Sequence, residues 1–136
     1  MDRPRDLVEL EDRWLLPYRG MQVIQICVSY QLTLLLDSGA QVDVETEAEL
    51  STLRALDRVK ARLLPEQQDV APALTLFGAT VLSAVAFKSG SLRLGFDNGL
   101  QLKVKPDVRY EAWSAHGPDD GPRLVCQPGG GIAVWQ

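Results

Sequence analysis

The sequence predicts a mainly β domain of the α+β kind. Two tandem antiparallel β-meander repeats would form a sheet pair or a partly open barrel, with one or two short helices. Three observations predict this. Two stretches of the chain resemble each other in order. Apolar residues alternate with period two inside each stretch, the mark of a strand with one buried face. Glycine-bearing turn sequences punctuate both.

The first stretch is GMQVIQICVSYQLTLLLDSGAQVDV, Gly20 to Val44, and the second is GATVLSAVAFKSGSLRLGFDNGLQLKV, Gly78 to Val104. Gly20 matches Gly78 and Val23 matches Val81. After a shift at the first turn, Leu32 matches Leu92, Leu34 matches Leu94, Asp37-Ser38-Gly39 matches Asp97-Asn98-Gly99, and Val44 matches Val104. The repeats extend over about residues 18–64 and 76–135 of a single domain, 1–136.

Taken in order, LVELEDRWLL near the N-terminus fits an amphipathic helical turn or two, ended by Pro17. Each repeat then reads as three strands. Lys88-Ser89-Gly90-Ser91 and Asp97-Asn98-Gly99 supply turns, because Gly and Asn accept positive φ at little cost. Leu92, Leu94 and Phe96 face one way, Arg93 and Gly95 the other, and Leu32, Leu34 and Leu36 repeat the pattern.

From Glu45 to Gln68 two readings stand. A helix over 46–63 has suitable composition and a capping box, Thr46-x-x-Glu49. The favoured reading is a strand through about Leu50, with a hairpin around Leu56-Asp57-Arg58. It places Asp43, Glu45, Glu47 and Glu49 on one face, against Val42, Val44, Ala48 and Leu50. Asp69 then caps a short helix through Leu76, with Pro72 in its first turn and Gly78 ending it. Strands follow at Tyr110–Ala115, Arg123–Gln127 and Ile132–Trp135. Turns fall at 117–121, which includes Asp119-Asp120, and at Pro128-Gly129-Gly130-Gly131.

The glycine run invites a phosphate-binding reading, which the spacing refuses. A phosphate loop needs a lysine and a helix behind the glycines, and only Ile132 to Gln136 remain. His116, the single histidine, reads as an exposed loop residue with no forced partner. One His with Cys27 and Cys126, far apart, supplies no zinc set, and the turn aspartates do not follow a calcium loop. The two cysteines read as reduced core residues. Glu45 and Glu47, on a solvated strand face, would meet nothing that raises a carboxyl pKa. No catalytic, cofactor-binding or metal-ligating residue is assigned, and no cofactor is expected.

Net charge is −4, with hydrophobic residues at 46% and charged residues at 24%, ordinary for a globular chain and the wrong sign for nucleic acid. The N-terminus carries charge throughout and lacks an apolar signal region, and no apolar run is long enough to span a bilayer. The expected compartment is therefore the cytoplasm, with no membrane partner.

The most suggestive feature is charge. The second repeat carries Lys103 and Lys105 where the first carries Asp43 and Glu45. Asp43, Glu45, Glu47, Glu49, Lys103 and Lys105 are thus the candidate partner-binding residues. The acidic stripe would steer a basic protein or meet the lysine stripe of a second copy. Of the aromatic residues, Tyr110, Trp113, Trp135 and Trp14 read as core before they read as interface anchors.

Tyr110-Glu111-Ala112-Trp113 together with Pro128-Gly129-Gly130-Gly131-Ile132-Ala133-Val134-Trp135 resembles the C-terminal signature of a bacterial family of small proteins of unknown function. The likeness runs from about Trp14 to the end. It includes Leu64-Pro65-Glu66 and the two Gly-x-x-Val openings, and departs from the family between Glu45 and Arg62. It implies the fold and no activity. The expectation for function is a non-enzymatic protein-binding module, in its sharpest form an immunity-type inhibitor of a basic toxin domain. The alternatives are a self-associating structural or regulatory subunit, and a small-ligand binder or enzyme with an unrecognised site.

Overall fold

The computed structural model describes residues 6–52, 61–118 and 121–136. Among these residues thirteen strands form two antiparallel sheets that do not close into a barrel, which decides for the sheet pair. The first meander is β3 (Val23–Val28), β4 (Leu32–Leu36) and β5 (Gln41–Val44); the second is β8 (Val81–Phe87), β9 (Leu92–Phe96) and β10 (Leu100–Val104). Leu32, Leu34, Val42 and Val44 from one meander, and Leu92, Leu94, Leu102 and Val104 from the other, are essentially inaccessible and belong to one core. The period-two pattern is thus the core pattern.

The two meanders repeat each other in backbone detail. Each has a register shift at its first strand, between Val23 and Gln25 in one and Val81 and Ser83 in the other. They also bond to each other through equivalent groups. Gly20 N donates to the Val81 carbonyl (2.8 Å) and Gly78 N to the Val23 carbonyl (2.9 Å). Val81 N donates to Met21 (2.8 Å) and Val23 N to Ala79 (2.9 Å). Gln22 and Thr80, matching positions, form a bridge. Gly20 and Gly78 both hold φ near +85°, at 88° and 82°, where a Cβ is costly.

Each meander sends its following strands into the other sheet. After β5, β6 (Ala48–Thr52) pairs with β10, and β7 (Ala61–Leu63) lies beyond it; after β10, β11 (Trp113–His116) pairs with β5, followed by β12 (Arg123–Cys126) and β13 (Ile132–Trp135). The sheet orders are β1-β2-β8-β9-β10-β6-β7 and β13-β12-β11-β5-β4-β3.

Several expectations are corrected. The strand expected to run through Leu50 breaks after Val44: Glu45 N donates to Ala112 O (2.9 Å), and the chain changes sheets before Ala48. Nor does one helix span 46–63: Ala48–Thr52 and Ala61–Leu63 are strands, and residues 53–60 lie outside the described residues. Ala48 and Leu50 gain more by pairing with Val104 and Leu102 over the core than a capping box offers, so tertiary packing overrides local propensity. The hairpin at Leu56-Asp57-Arg58 lies outside the described residues, as do Asp119 and Asp120.

The N-terminal segment is not helical. β1 (Val8–Glu9) and β2 (Arg13–Leu15) form a hairpin on the outer edge of β8, because that edge offers backbone partners while Trp14 packs on the core. Two 3-10 turns replace the single capped helix, at Pro65–Gln67 and Ala71–Leu76. Val70, not Asp69, is the N-cap of the second, since the Asp69 backbone is held by Leu64.

The glycine run is a corner whose amides are all used. Gly129 N donates to Asp107 (2.7 Å), Gly130 N to Gln127 (3.0 Å) and Gly131 N to Ser89 (3.1 Å). It rests on the β8–β9 turn, and the buried Trp113 indole donates to Gly90 of that turn (2.8 Å).

Candidate functional site

The strand exchange needs two crossovers, residues 45–47 and 105–112, and these build a concave surface. Pro106, lacking an N–H, cannot continue the β10 ladder. Asp107 then accepts from the backbone N–H groups of Arg109 (2.8 Å) and Tyr110 (3.2 Å), folding the loop into a side-chain-held turn.

Two adjoining hollows result. One, of ≈ 490 Å³, is lined by residues that include Glu47, Glu49, Lys103, Lys105 and Asp107. The other, of ≈ 420 Å³, shares Thr46, Glu47 and Asp107 with it and adds Tyr30, Glu45, Glu66, Arg109 and Tyr110.

Five of the six residues singled out in the sequence therefore meet around the crossovers, though not as an acidic stripe. Lys103 on β10 stands directly opposite Glu49 on β6, with Arg93 on β9 and Arg62 on β7 in the same cross-strand row. Arg62 also pairs with Glu47, and Lys105 lies in the first hollow beside it. The charges of the two repeats meet inside one chain.

Glu45 is exposed, as expected, yet its carboxyl does not keep its ordinary value. Burial, then Glu111 and Asp43, push its carboxyl above the ordinary 4.5. The cause is the sheet change, which brings the crossover bearing Glu111 alongside Glu45.

Asp43 is the sixth residue, and it is buried rather than solvated. It sits on the outer face of the six-stranded sheet, between Thr33 of β4 and Ser114 of β11. Thr33 Oγ1 donates to Asp43 Oδ1 (2.6 Å), Gln31 Nε2 to the same oxygen (3.2 Å), and Gln41 Nε2 to both oxygens (3.0 and 3.1 Å). Ser114 Oγ donates to Oδ2 (3.3 Å), and His116 Nε2 lies 3.6 Å from that same oxygen.

His116 is thus not in an exposed turn. It ends β11, partly buried, and its carbonyl accepts from the Tyr18 hydroxyl (2.7 Å). Burial, and secondarily Asp43, raise the Tyr18 phenol well above its usual range. Serine, histidine and aspartate do meet here, but both partners address one carboxylate oxygen. A nucleophile–base relay needs the histidine between the other two, so this cluster locks the sheet rather than activating Ser114. No spacing announces it, because 71 positions separate Asp43 from Ser114 and only the strand exchange makes them neighbours.

The aromatic expectations divide. Trp113 is core and Trp14 packs against it. Tyr110 and Trp135 are each 55% exposed, and Tyr110 precedes β11 instead of opening it. Both cysteines are free: Cys126 is buried, while Cys27 sits half-covered on an edge strand, outside the core. Among the described residues no group of three or more His, Cys, Asp or Glu side chains is placed to hold a metal, and no helix is long and apolar enough to cross a membrane.

These features define a small open β-sandwich with exchanged strands and a mixed-charge hollow at the exchange. The chain belongs to a family of unknown function, DUF6188, whose sequence profile matches residues 14–136. No curated protein and no solved structure matches it.

Proposed function

We propose that this protein is a non-enzymatic protein-binding module whose docking surface is the end of the sandwich where the crossovers pass. One observation carries the reading. Tyr30, 80% exposed, and Tyr110 line the same hollow as Glu45, Glu47, Glu66 and Asp107. Tyrosine is a favoured interface anchor because it offers a rigid apolar ring and a polar tip, and interface anchors of this type carry most of the binding energy.

The carboxylates select a basic partner. Glu45, already raised by burial and by neighbouring acids, gains most from an arriving cation. The sharpest form of this reading is an immunity-type inhibitor that covers a basic toxin domain. Lys103 already faces Glu49 in the same chain, so complementarity between those residues gives no reason to invoke a second copy.

The test compares three chains used as bait in extract of the source cell. These are the wild type, a Tyr30→Ala/Tyr110→Ala chain and a Glu45→Lys/Glu47→Lys chain. The expected result is a basic protein retained by the wild type and released by both variants, with melting temperatures nearly unchanged. A partner held equally by all three overturns the docking surface, and an acidic partner overturns the charge argument.

A further inference from the structure

Among the described residues, the internal symmetry leaves one place unfilled. β3 and β8 are equivalent strands, and β8 is covered along its outer edge by β2. There Leu16 N donates to Ala84 O (2.9 Å), Lys88 N donates to Asp12 O (2.9 Å), and Trp14 pairs with Ala86. The matching positions on β3 are Ile26 and Val28, at the same distance from the hairpin and facing the same way. β3 is the last strand of its sheet, and no described backbone group bonds to the outward N–H and C=O of Ile26 or Val28.

Exposure records the difference. Val28 is 48% exposed where its counterpart Ala86 is at 0%. Only the ends of β3 are held, by Gly78 and Ala79 at Val23, and by the Gln68 side chain at the Ser29 carbonyl. β13, the opposite edge of this sheet, has no described counterpart in the first half, so symmetry makes no demand on it.

We infer that the edge of β3 is the interface between two copies of this chain, paired antiparallel about a twofold axis. The sequence of the strand favours its own kind. VIQICV carries no charge and no proline, the features by which edge strands normally refuse partners. Two chains of net charge −4 can therefore meet here without like charges opposed.

Antiparallel pairing of Ile26 with Val28 of the second copy also matches character on both faces. Ile26 and Val28 extend the apolar inner face, while Gln25 meets Ser29 on the outer one. Cys27 then lies on the axis opposite Cys27 of the second copy. Its own backbone groups bond to β4, so the two cysteines form a pair without mutual hydrogen bonds, with Cα atoms about 4.5 Å apart. That separation is within reach of a disulfide.

The interface and the crossover hollow adjoin at Tyr30, and the experiment separates them through Val28 and Tyr110. Sedimentation of the Cys126→Ser chain over a concentration series should show a reversible species of twice 15.0 kDa. Added diamide should convert it to a covalent dimer, and Cys27→Ser should abolish that product. Val28→Lys should weaken association by at least about tenfold, whereas Tyr110→Ala, in the crossover hollow and away from β3, should leave it unchanged. A chain that stays at 15.0 kDa up to millimolar concentration overturns the inference. So does a dimer that Val28→Lys does not weaken. If Val28→Lys fails to fold, crosslinking decides alone: a dimer that never joins through Cys27 refutes the pairing.

Discussion

Thr33 and Asp43 share the shortest side-chain hydrogen bond on the outer face of the six-stranded sheet, Oγ1 to Oδ1 at 2.6 Å, and both residues are buried. Each half of the chain contributes to this carboxylate, since Thr33, Gln31 and Gln41 come from the first and Ser114 and His116 from the second. The cluster is a polar clasp between repeats.

Asp43→Ala should therefore destabilise the fold by about 2–3 kcal/mol, because it strands the two buried hydroxyls of Thr33 and Ser114 at once. Thr33→Val, which removes one donor of similar shape, should cost about 1 kcal/mol. Urea midpoints with unchanged slopes would check both, and a double-mutant cycle should show the pair coupled.

The glycine corner separates two causes of strain. Gly129 and Gly130 both hold positive φ, 81° and 110°, but a Cβ at Gly129 meets nothing within 4 Å, whereas one at Gly130 falls 2.8 Å from the Ser89 carbonyl oxygen. Gly129→Ala should cost about 1 kcal/mol from backbone conformation alone. Gly130→Ala should cost at least about 2 kcal/mol, because the clash is with backbone that cannot turn aside. Equal melting temperatures for the two variants would contradict this.

Stability should depend on pH through Glu45. Its carboxyl is raised in the folded chain by burial, then by Glu111 and Asp43. The folded state thus holds this proton more tightly than the unfolded one. Its contribution is fully present below the ordinary value of 4.5 and is lost as pH rises through the raised value. Glu45→Gln should raise the melting temperature at pH 7 and bring no gain near pH 3.5. The gain should stay below about 1 kcal/mol, because solvent screens a largely exposed group.

The thiols should react in order of access. Burial raises the Cys126 thiol, so little thiolate is available there, while Cys27 is half-covered on an edge. An aromatic disulfide reagent should label one thiol per native chain quickly, and Cys27→Ser should remove that fast phase. Labelling of Cys126 should wait for unfolding.

Much of this was legible in the residues. Leu32, Leu34 and Leu36, with Leu92, Leu94 and Phe96, announce strands and their buried face, and both line the core. Ile132–Trp135 forms a strand at its expected bounds. The N-terminal segment departs from its sequence pattern, because LVELEDRWLL has helical spacing and nothing local reveals the open edge of β8 that recruits Arg13–Leu15 as a strand. The charged candidates are legible as residues and not as an arrangement: alternation from Asp43 to Glu49 looks like one face, and a change of sheet at Glu45 divides it.

For the two meanders, the sequence by itself determined which segments extend, where they turn, which side of each strand turns inward, and that the pattern occurs twice. Only the tertiary structure decided that β6 lies on β10 and β11 on β5. Alternation specifies a face, whereas strand edges present the same backbone N–H and C=O groups whatever their side chains. The choice of neighbour is therefore made by how the whole core closes, and that choice set Glu49 against Lys103 and Ser114 against Asp43.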